Sequence, residues 1–245
     1  MRLTLSSSAA PDATLDELVD ACVRRGLAAV ALCAGDAHCV FPGPDTLERR
    51  AAVTRARSAG VAIASYRTSA LDQPERLRRL AADVGIPIVL DPPDCDVSSA
   101  IRVAARLRDA GVPVSVAVRG IDAVNDAADV AAAELGIAWD ADPATAPVAQ
   151  HADALLEDCG RWLREVRLIG GGPEAAMQEG RGVGSLMGAL ALARFDGDLV
   201  LTPSSPRYRV AWQTWLGRRG WGCGSSAEAH VLPLAGAAPA AGGGR

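Results

Sequence analysis

Eight short β-rich runs, each followed by a helix-patterned segment, fill about the first 220 of 245 residues. The runs are apolar almost throughout, as strands of a parallel sheet covered on both faces must be. The length also fits, because (β/α)8 barrels commonly run about 200–250 residues as one unit. These observations predict an α/β fold, a single (β/α)8 barrel over residues 1–222, with a low-complexity tail over 223–245. A doubly wound open sheet is the alternative topology, but it usually stops at about five to seven strands.

The first run, Arg2–Ser6, leads to a helix with Leu15, Leu18, Val19 and Cys22 at i, i+3, i+4 spacing. Thr14 and Glu17 form a capping box at its start, and Gly26 stops it. Ala28–Cys33 is the second strand, and Gly60 ends the next helix before the third, Val61–Tyr66. Asp72 reads as the cap of a helix marked by Leu77, Leu80, Ala81 and Val84, followed by the strand Ile86–Leu90. Asp96 caps the next helix and Gly111 ends it before Val112–Val118. Gly136–Asp140, Glu165–Ile169 and Asp198–Thr202 complete the strands. Tyr208, Ala211, Trp212 and Trp215 mark a closing helix, and Trp212, Trp215 and Trp221 are most simply barrel-closing core.

Composition removes several chemistries. The chain has 25 arginines and no lysine, so it has no Schiff-base lysine, no P-loop lysine and no lysine general base. Alanine makes up about a fifth of the residues, and this joint bias is what a GC-rich coding sequence produces. A net charge of −4 argues against an electrostatic nucleic-acid binder. No apolar run approaches the roughly 18 residues of a membrane span, and the N-terminus has no secretory core. The six cysteines stand singly, without C-x-x-C or zinc spacing, which suits a reducing cytoplasm. Three histidines, His38, His151 and His230, leave almost no room for a multi-histidine metal site. The oligomeric state stays open, a homodimer included.

In a barrel the chemistry lies in the loops after the strands. Arg67, Arg119 and Arg167 stand at three strand ends, where guanidiniums converging on the mouth would grip a carboxylate or phosphate. The competing reading makes them salt-bridge partners of Asp91, Asp94, Asp140 or Asp142. His38 lies in a loop two residues after Asp36 and is a general acid/base candidate, or else a residue that holds its own loop. The glycine-rich segment after strand 7, with Arg181, is either a phosphate-binding loop or a flexible lid. Cys39 and Cys95 are also in mouth loops, but no base and orienter accompany them.

Several blocks resemble the sugar phosphate isomerase/epimerase group of xylose-isomerase-like TIM barrels. They are RGLAAVALCAGDAHCV, AGVAIASYRTS, GIAWDADPA, REVRLIG, and EGRGVGSL before FDGDLVLTPSS. The resemblance spans about residues 1–220 and rests on the order and spacing of the blocks together. It implies a divalent metal held by Glu, Asp, His and Glu at the ends of the last four strands, the glutamates shuttling a proton. Here those positions are Ala117 (with Arg119 just beyond), Asp140, Arg167 and Thr202, and a further strand-2 glutamate is Ala31. One carboxylate cannot hold a catalytic divalent ion, and an arginine in the histidine's place repels it.

Three functions follow as expectations. The first is a metal-independent enzyme without a cofactor, carrying out isomerisation or a related enolising step on a small anionic metabolite. His38 and Asp36 would act as acid/base, Asp140 as second carboxylate, and Arg67, Arg119, Arg167 and Arg181 would bind substrate. The second is a catalytically inactive barrel that binds a metabolite or a partner protein. The third is a relocated metal site built from Asp36, His38 and Asp140, with Asp91 or Asp94.

Overall fold

The computed structural model describes residues 1–36, 46–92, 96–120, 122–142, 148–170 and 181–203. Eight strands lie within them: β1 (Arg2–Ser6), β2 (Ala29–Cys33), β3 (Ala62–Thr68), β4 (Ile88–Leu90), β5 (Val114–Arg119), β6 (Gly136–Ala141), β7 (Leu163–Gly170) and β8 (Asp198–Pro203). All neighbours pair in parallel, and β8 returns to β1 through Leu3↔Leu199 and Leu5↔Leu201, so the sheet closes. The chain is a single (β/α)8 TIM barrel. Its described helices are α1 (Leu15–Arg25), α2 (Thr46–Ser58), α3 (Pro74–Val84), α4 (Val97–Asp109), α5 (Ala123–Ala132), α6 (Val148–Cys159) and α7 (Arg181–Leu192). None of the described helices is long and apolar enough to cross a membrane.

Local chemistry places these elements. Thr14 Oγ1 accepts from the Glu17 N–H while Glu17 takes the Thr14 N–H at 2.8 Å, which is the reciprocal cap. Gly26 ends α1 at φ +65°, a left-handed turn that a Cβ disfavours. Asp96 caps α4 by accepting from the Ser99 N–H. Asp72 does not cap α3. Pro74 occupies the first turn, where its ring fixes φ, and the cap position falls on Gln73, which makes no side-chain cap bond. The fourth and fifth strands begin later than expected, after Pro87 and Pro113. A proline has no N–H to give a ladder, and both contribute only carbonyls, to Tyr66 and Ile88. The residues 204–245, with Tyr208, Ala211, Trp212, Trp215, Trp221 and the tail, lie outside the described residues.

Two packing regions result. The outward faces of the strands, including Leu5, Leu32, Leu90, Trp139 and Leu201, form one cluster with the inner faces of the helices. Inside the barrel Val89, Ala117 and Ala138 form a second, small cluster. Those short side chains leave space in the lumen for long ones, and that space is where the polar side chains run.

Two glycine replacements should separate conformation from packing. Gly26→Ala should lower stability by about 1 kcal/mol, because a left-handed residue gains a Cβ. Gly188→Ala, in α7 with open space around it, should raise stability by roughly 0.5–1 kcal/mol. Urea denaturation reads both, and shifts of the same sign would refute this account.

Candidate active site at the barrel mouth

Because strand side chains alternate, Ser65 and Arg67 on β3 face the lumen together, as do Glu165, Arg167 and Ile169 on β7. Register places Arg119 beside Asp140 and Asp140 beside Arg167 on neighbouring strands. Arg67 reaches across the barrel. Its Nη1 and Nη2 donate to the two oxygens of Asp140 at 2.6 and 2.5 Å, and its Nε donates to Asp91 Oδ2 at 2.8 Å. Arg119 Nη2 pairs with the other oxygen of Asp91. One layer deeper, Ser65 donates to Glu165 at 2.8 Å, and Arg167 Nε donates to the other Glu165 oxygen at 2.5 Å.

These charges are out of water: Arg67 is 7%, Asp140 8%, Glu165 3% and Arg167 2% exposed. Burial by itself raises the Asp140 carboxyl. The Arg67 charge and its hydrogen bonds, with Arg167 and Arg119 behind them, reverse this and hold it below the usual aspartate value. Arg67 moves the opposite way: burial lowers it, but Asp140 and then Glu165 raise it overall. Burial lowers Arg119, whose side chain keeps 38% exposure, and the Arg67 charge adds to this. All three guanidiniums stay cationic. Three arginines therefore meet three carboxylates, and the cluster is close to neutral.

Above it lies a cavity of about 320 Å³ whose wall includes Ser8, Cys33, Arg67, Asp140, Arg167 and Thr202. Arg167 Nη1 donates weakly to the half-buried Cys33 Sγ at 3.8 Å. Arg167 Nη2 and Thr202 Oγ1 have no hydrogen-bond partner among the described residues. Arg119 Nε is in the same condition. At the cavity edge, Ser7 Oγ accepts from the Cys33 N–H at 2.8 Å and donates to Asp36 at 2.6 Å, which ties β1 to the chain after β2.

Of the sequence candidates, Arg67, Arg119, Arg167 and Asp140 come together at the mouth, and Asp36 stands at its rim. His38, Asp94, Cys39 and Cys95 lie outside the described residues, as does the side chain of Arg181, the first residue of α7. Glu165, Ser65 and Cys33 were not among the candidates. Glu165 carried a legible signal, since an acid two residues before Arg167 on a strand must share its face. Ser65 and Cys33 carried none, being ordinary strand residues until the barrel closes.

The metal that the resemblance implies does not fit these side chains. Both Asp140 oxygens already accept from Arg67, and Arg167 brings a fixed positive charge to the neighbouring strand. Ala117 lies in the apolar lumen cluster and offers no ligand atom. Among the described residues no group of three His, Cys, Asp or Glu is placed to hold a metal ion.

No protein-family model matches the chain, and no curated protein matches it in sequence. Solved structures do match. A xylose isomerase domain containing protein from Salmonella typhimurium LT2 superposes with a TM-score of 0.61 at 12% identity, over 89% of this chain and 95% of that one. D-psicose 3-epimerase from Clostridium cellulolyticum H10 gives 0.60 at 14% identity, over 88% and 90%. The D-allulose 3-epimerase of a Methylomonas species, in complex with D-allulose, gives 0.61 at 11% identity, over 88% and 90%. The shared feature is the fold. At 11–14% identity the likeness extends to the eight-stranded parallel barrel.

Removing one partner of the cross-barrel pair should be far worse than removing both. Arg67→Met leaves Asp140 buried without its partner and should cost about 3–5 kcal/mol, and adding Asp140→Leu should recover most of that loss. A single-variant cost under about 1 kcal/mol in urea denaturation would overturn this account. The pH dependence has a definite sign. Asp140 has a depressed folded pKa, so its pairing stabilises above the ordinary aspartate value of about 4 and is lost as pH falls through the folded value. Asp140→Asn should therefore flatten the acid limb of a stability profile below about pH 4.

Proposed function

We propose that this isomerase/epimerase-like barrel is a metal-independent enzyme that moves a proton, in an isomerisation or related enolising step, on a small anionic metabolite held in the mouth cavity. One observation carries the reading: Arg167 Nη2 and Thr202 Oγ1 belong to the cavity wall and have no hydrogen-bond partner among the described residues. Such a buried donor left unpaired costs about 1–3 kcal/mol, and a ligand oxygen would remove that cost. A guanidinium fixed where the resemblance implies a metal offers positive charge to an enolate-like oxygen, without the reorganisation that water would need. Glu165 and Ser65 hold Arg167 from below, so its aim is set before ligand arrives.

The remaining roles follow from position. Arg119, half exposed and with an unpartnered Nε, is suited to the ligand's outer polar groups, and Arg181 opens the helix after the glycine-rich segment. Asp140 acts through Arg67 and is a positioning residue here, because both its oxygens are engaged. The proton carrier is assigned to His38, with Asp36 beside it in sequence and anchored by Ser7. Since the buried cluster is nearly neutral, recognition relies on directed N–H groups more than on net charge.

A second reading is favoured by one fact. Asp91, Asp140 and Glu165 are all engaged by arginines, so none of these carboxylates stands ready to take a substrate proton. A barrel that binds its metabolite without converting it fits that arrangement, and His38 separates the two readings. A thermal-shift screen of sugar phosphates and small carboxylates should find a ligand, and turnover is then assayed on the hit. Arg167→Ala should lose about 100- to 1,000-fold in kcat, and His38→Ala about 100-fold or more. Full turnover in both variants would discard these roles, and tight binding with no conversion by the unmodified chain would establish the second reading.

A further inference from the structure

At the opposite end of the barrel, below β7 and β8, a cleft of about 280 Å³ is lined by Arg161, Arg164 and Arg194. They come from three places: the 3-10 turn Gly160–Trp162, the start of β7, and the residues just after α7. Elsewhere Arg2 is paired with Asp198, Arg49 with Asp83 and Arg67 with Asp140, while Arg24, Arg57, Arg79 and Arg106, unpaired among the described residues, stand singly on four different helices. In the cleft none of the three has an ion pair or hydrogen bond among the described residues, and one carboxylate, Asp196, shares the wall. In a chain of net charge −4, that is a local excess of positive charge.

All three side chains are exposed, and two of them lie against identifiable neighbours. The Arg161 guanidinium lies 5.0 Å from the Trp162 ring centroid, a cation–π contact that restrains it. The stem of Arg164 crosses Gly136 so closely that a Cβ there would come 3.1 Å from Arg164 Cγ. Arg194 sits at φ +53°, the left-handed position after a helix where glycine is the unstrained choice. A cation near a helix C-terminus gains from the dipole, which gives Arg194 a plain electrostatic reason to be there. That reason does not extend to Arg161 and Arg164, although Arg164 also borders a neighbouring cleft with Glu134 and Asp198 and pairs with neither.

We propose that this cleft binds the phosphate group of a small molecule, or free phosphate, at a site separate from the mouth. Planar guanidinium forks match phosphate oxygens two at a time, and three of them suit a multiply charged anion better than a single carboxylate. The volume is just below the roughly 300 Å³ at which drug-sized sites begin, which suits a small ion or a phosphate group alone. Arg164 faces outward at the foot of the strand whose Arg167 faces the mouth, so both sites can be filled together.

The test is calorimetric titration of the full chain with orthophosphate, glycerol phosphate and pyrophosphate, against sodium chloride at matched ionic strength. Saturable binding is expected, weakened at least tenfold by the double variant Arg161→Gln, Arg164→Gln. Arg194→Gly guards against misfolding as an explanation: it should keep or raise the Tm while weakening binding severalfold. Arg167→Met disables the mouth, so the binding that persists in it is the cleft's own and should still be lost in the Arg161→Gln, Arg164→Gln background. Equal affinity for orthophosphate and glycerol phosphate assigns the free ion, and tighter glycerol phosphate binding assigns an ester. Either result upholds the cleft if the double variant abolishes it. Unchanged affinity in the double variant and in Arg194→Gly, a chloride effect of equal size, or a loss confined to Arg167→Met would overturn the proposal.

Discussion

A guanidinium drawn into a barrel lumen loses its water and must be answered by carboxylates, and in this protein Arg67 is that guanidinium. Its three donor nitrogens reach Asp140 on β6 and Asp91 just past the end of β4, so one side chain ties β3 to both. Replacing such a pair by apolar residues is often neutral, while breaking it is not. Its value here is positional. It determines which faces of Asp140 and Asp91 are used up, and so what the mouth has left to offer a ligand.

What is left is Arg167, Arg119 and Thr202. The deeper pair of Glu165 and Ser65 grips Arg167 at Nε from below and leaves Nη2 unpartnered in the wall of the cavity. In effect the wall of the mouth presents N–H donors, while its carboxylates are taken up by arginines. The arrangement carries a constraint, since carboxylates needed to keep buried arginines charged are not free to move protons. Any proton transfer falls to a group outside that ion-pair network, which is the role proposed above for His38 with Asp36.

The fold was legible because each local signal was strong and agreed with the next. Thr14 with Glu17, Gly26, Asp96 and Gly111 punctuate helices through bonds confined to a few residues, and period-two and period-3.6 apolar patterns need no distant partner. Where the reading slipped, a neighbour in sequence had overridden it: Pro74 displaced the α3 cap from Asp72, and Pro87 and Pro113 delayed two strands. The site was half legible. Arg67, Arg119, Arg167 and Asp140 stand at strand ends, which a barrel brings together whatever their chemistry. Glu165 was readable from its spacing to Arg167, but Ser65 and Cys33 acquire meaning only from what lies across the lumen.

By itself, the sequence determined the barrel, the absence of lysine chemistry, and the residue types that stand at the strand ends. These follow from residue identity and short-range pattern, which do not depend on distant parts of the chain. Only the tertiary structure decided which arginine is spent on which carboxylate. Arg67, Arg119 and Arg167 are interchangeable in a pattern of letters, each a cation at a strand end. Barrel closure separates them, because it sets which acids lie within reach of each guanidinium: two for Arg67, and one each for Arg119 and Arg167, which both keep an N–H left over.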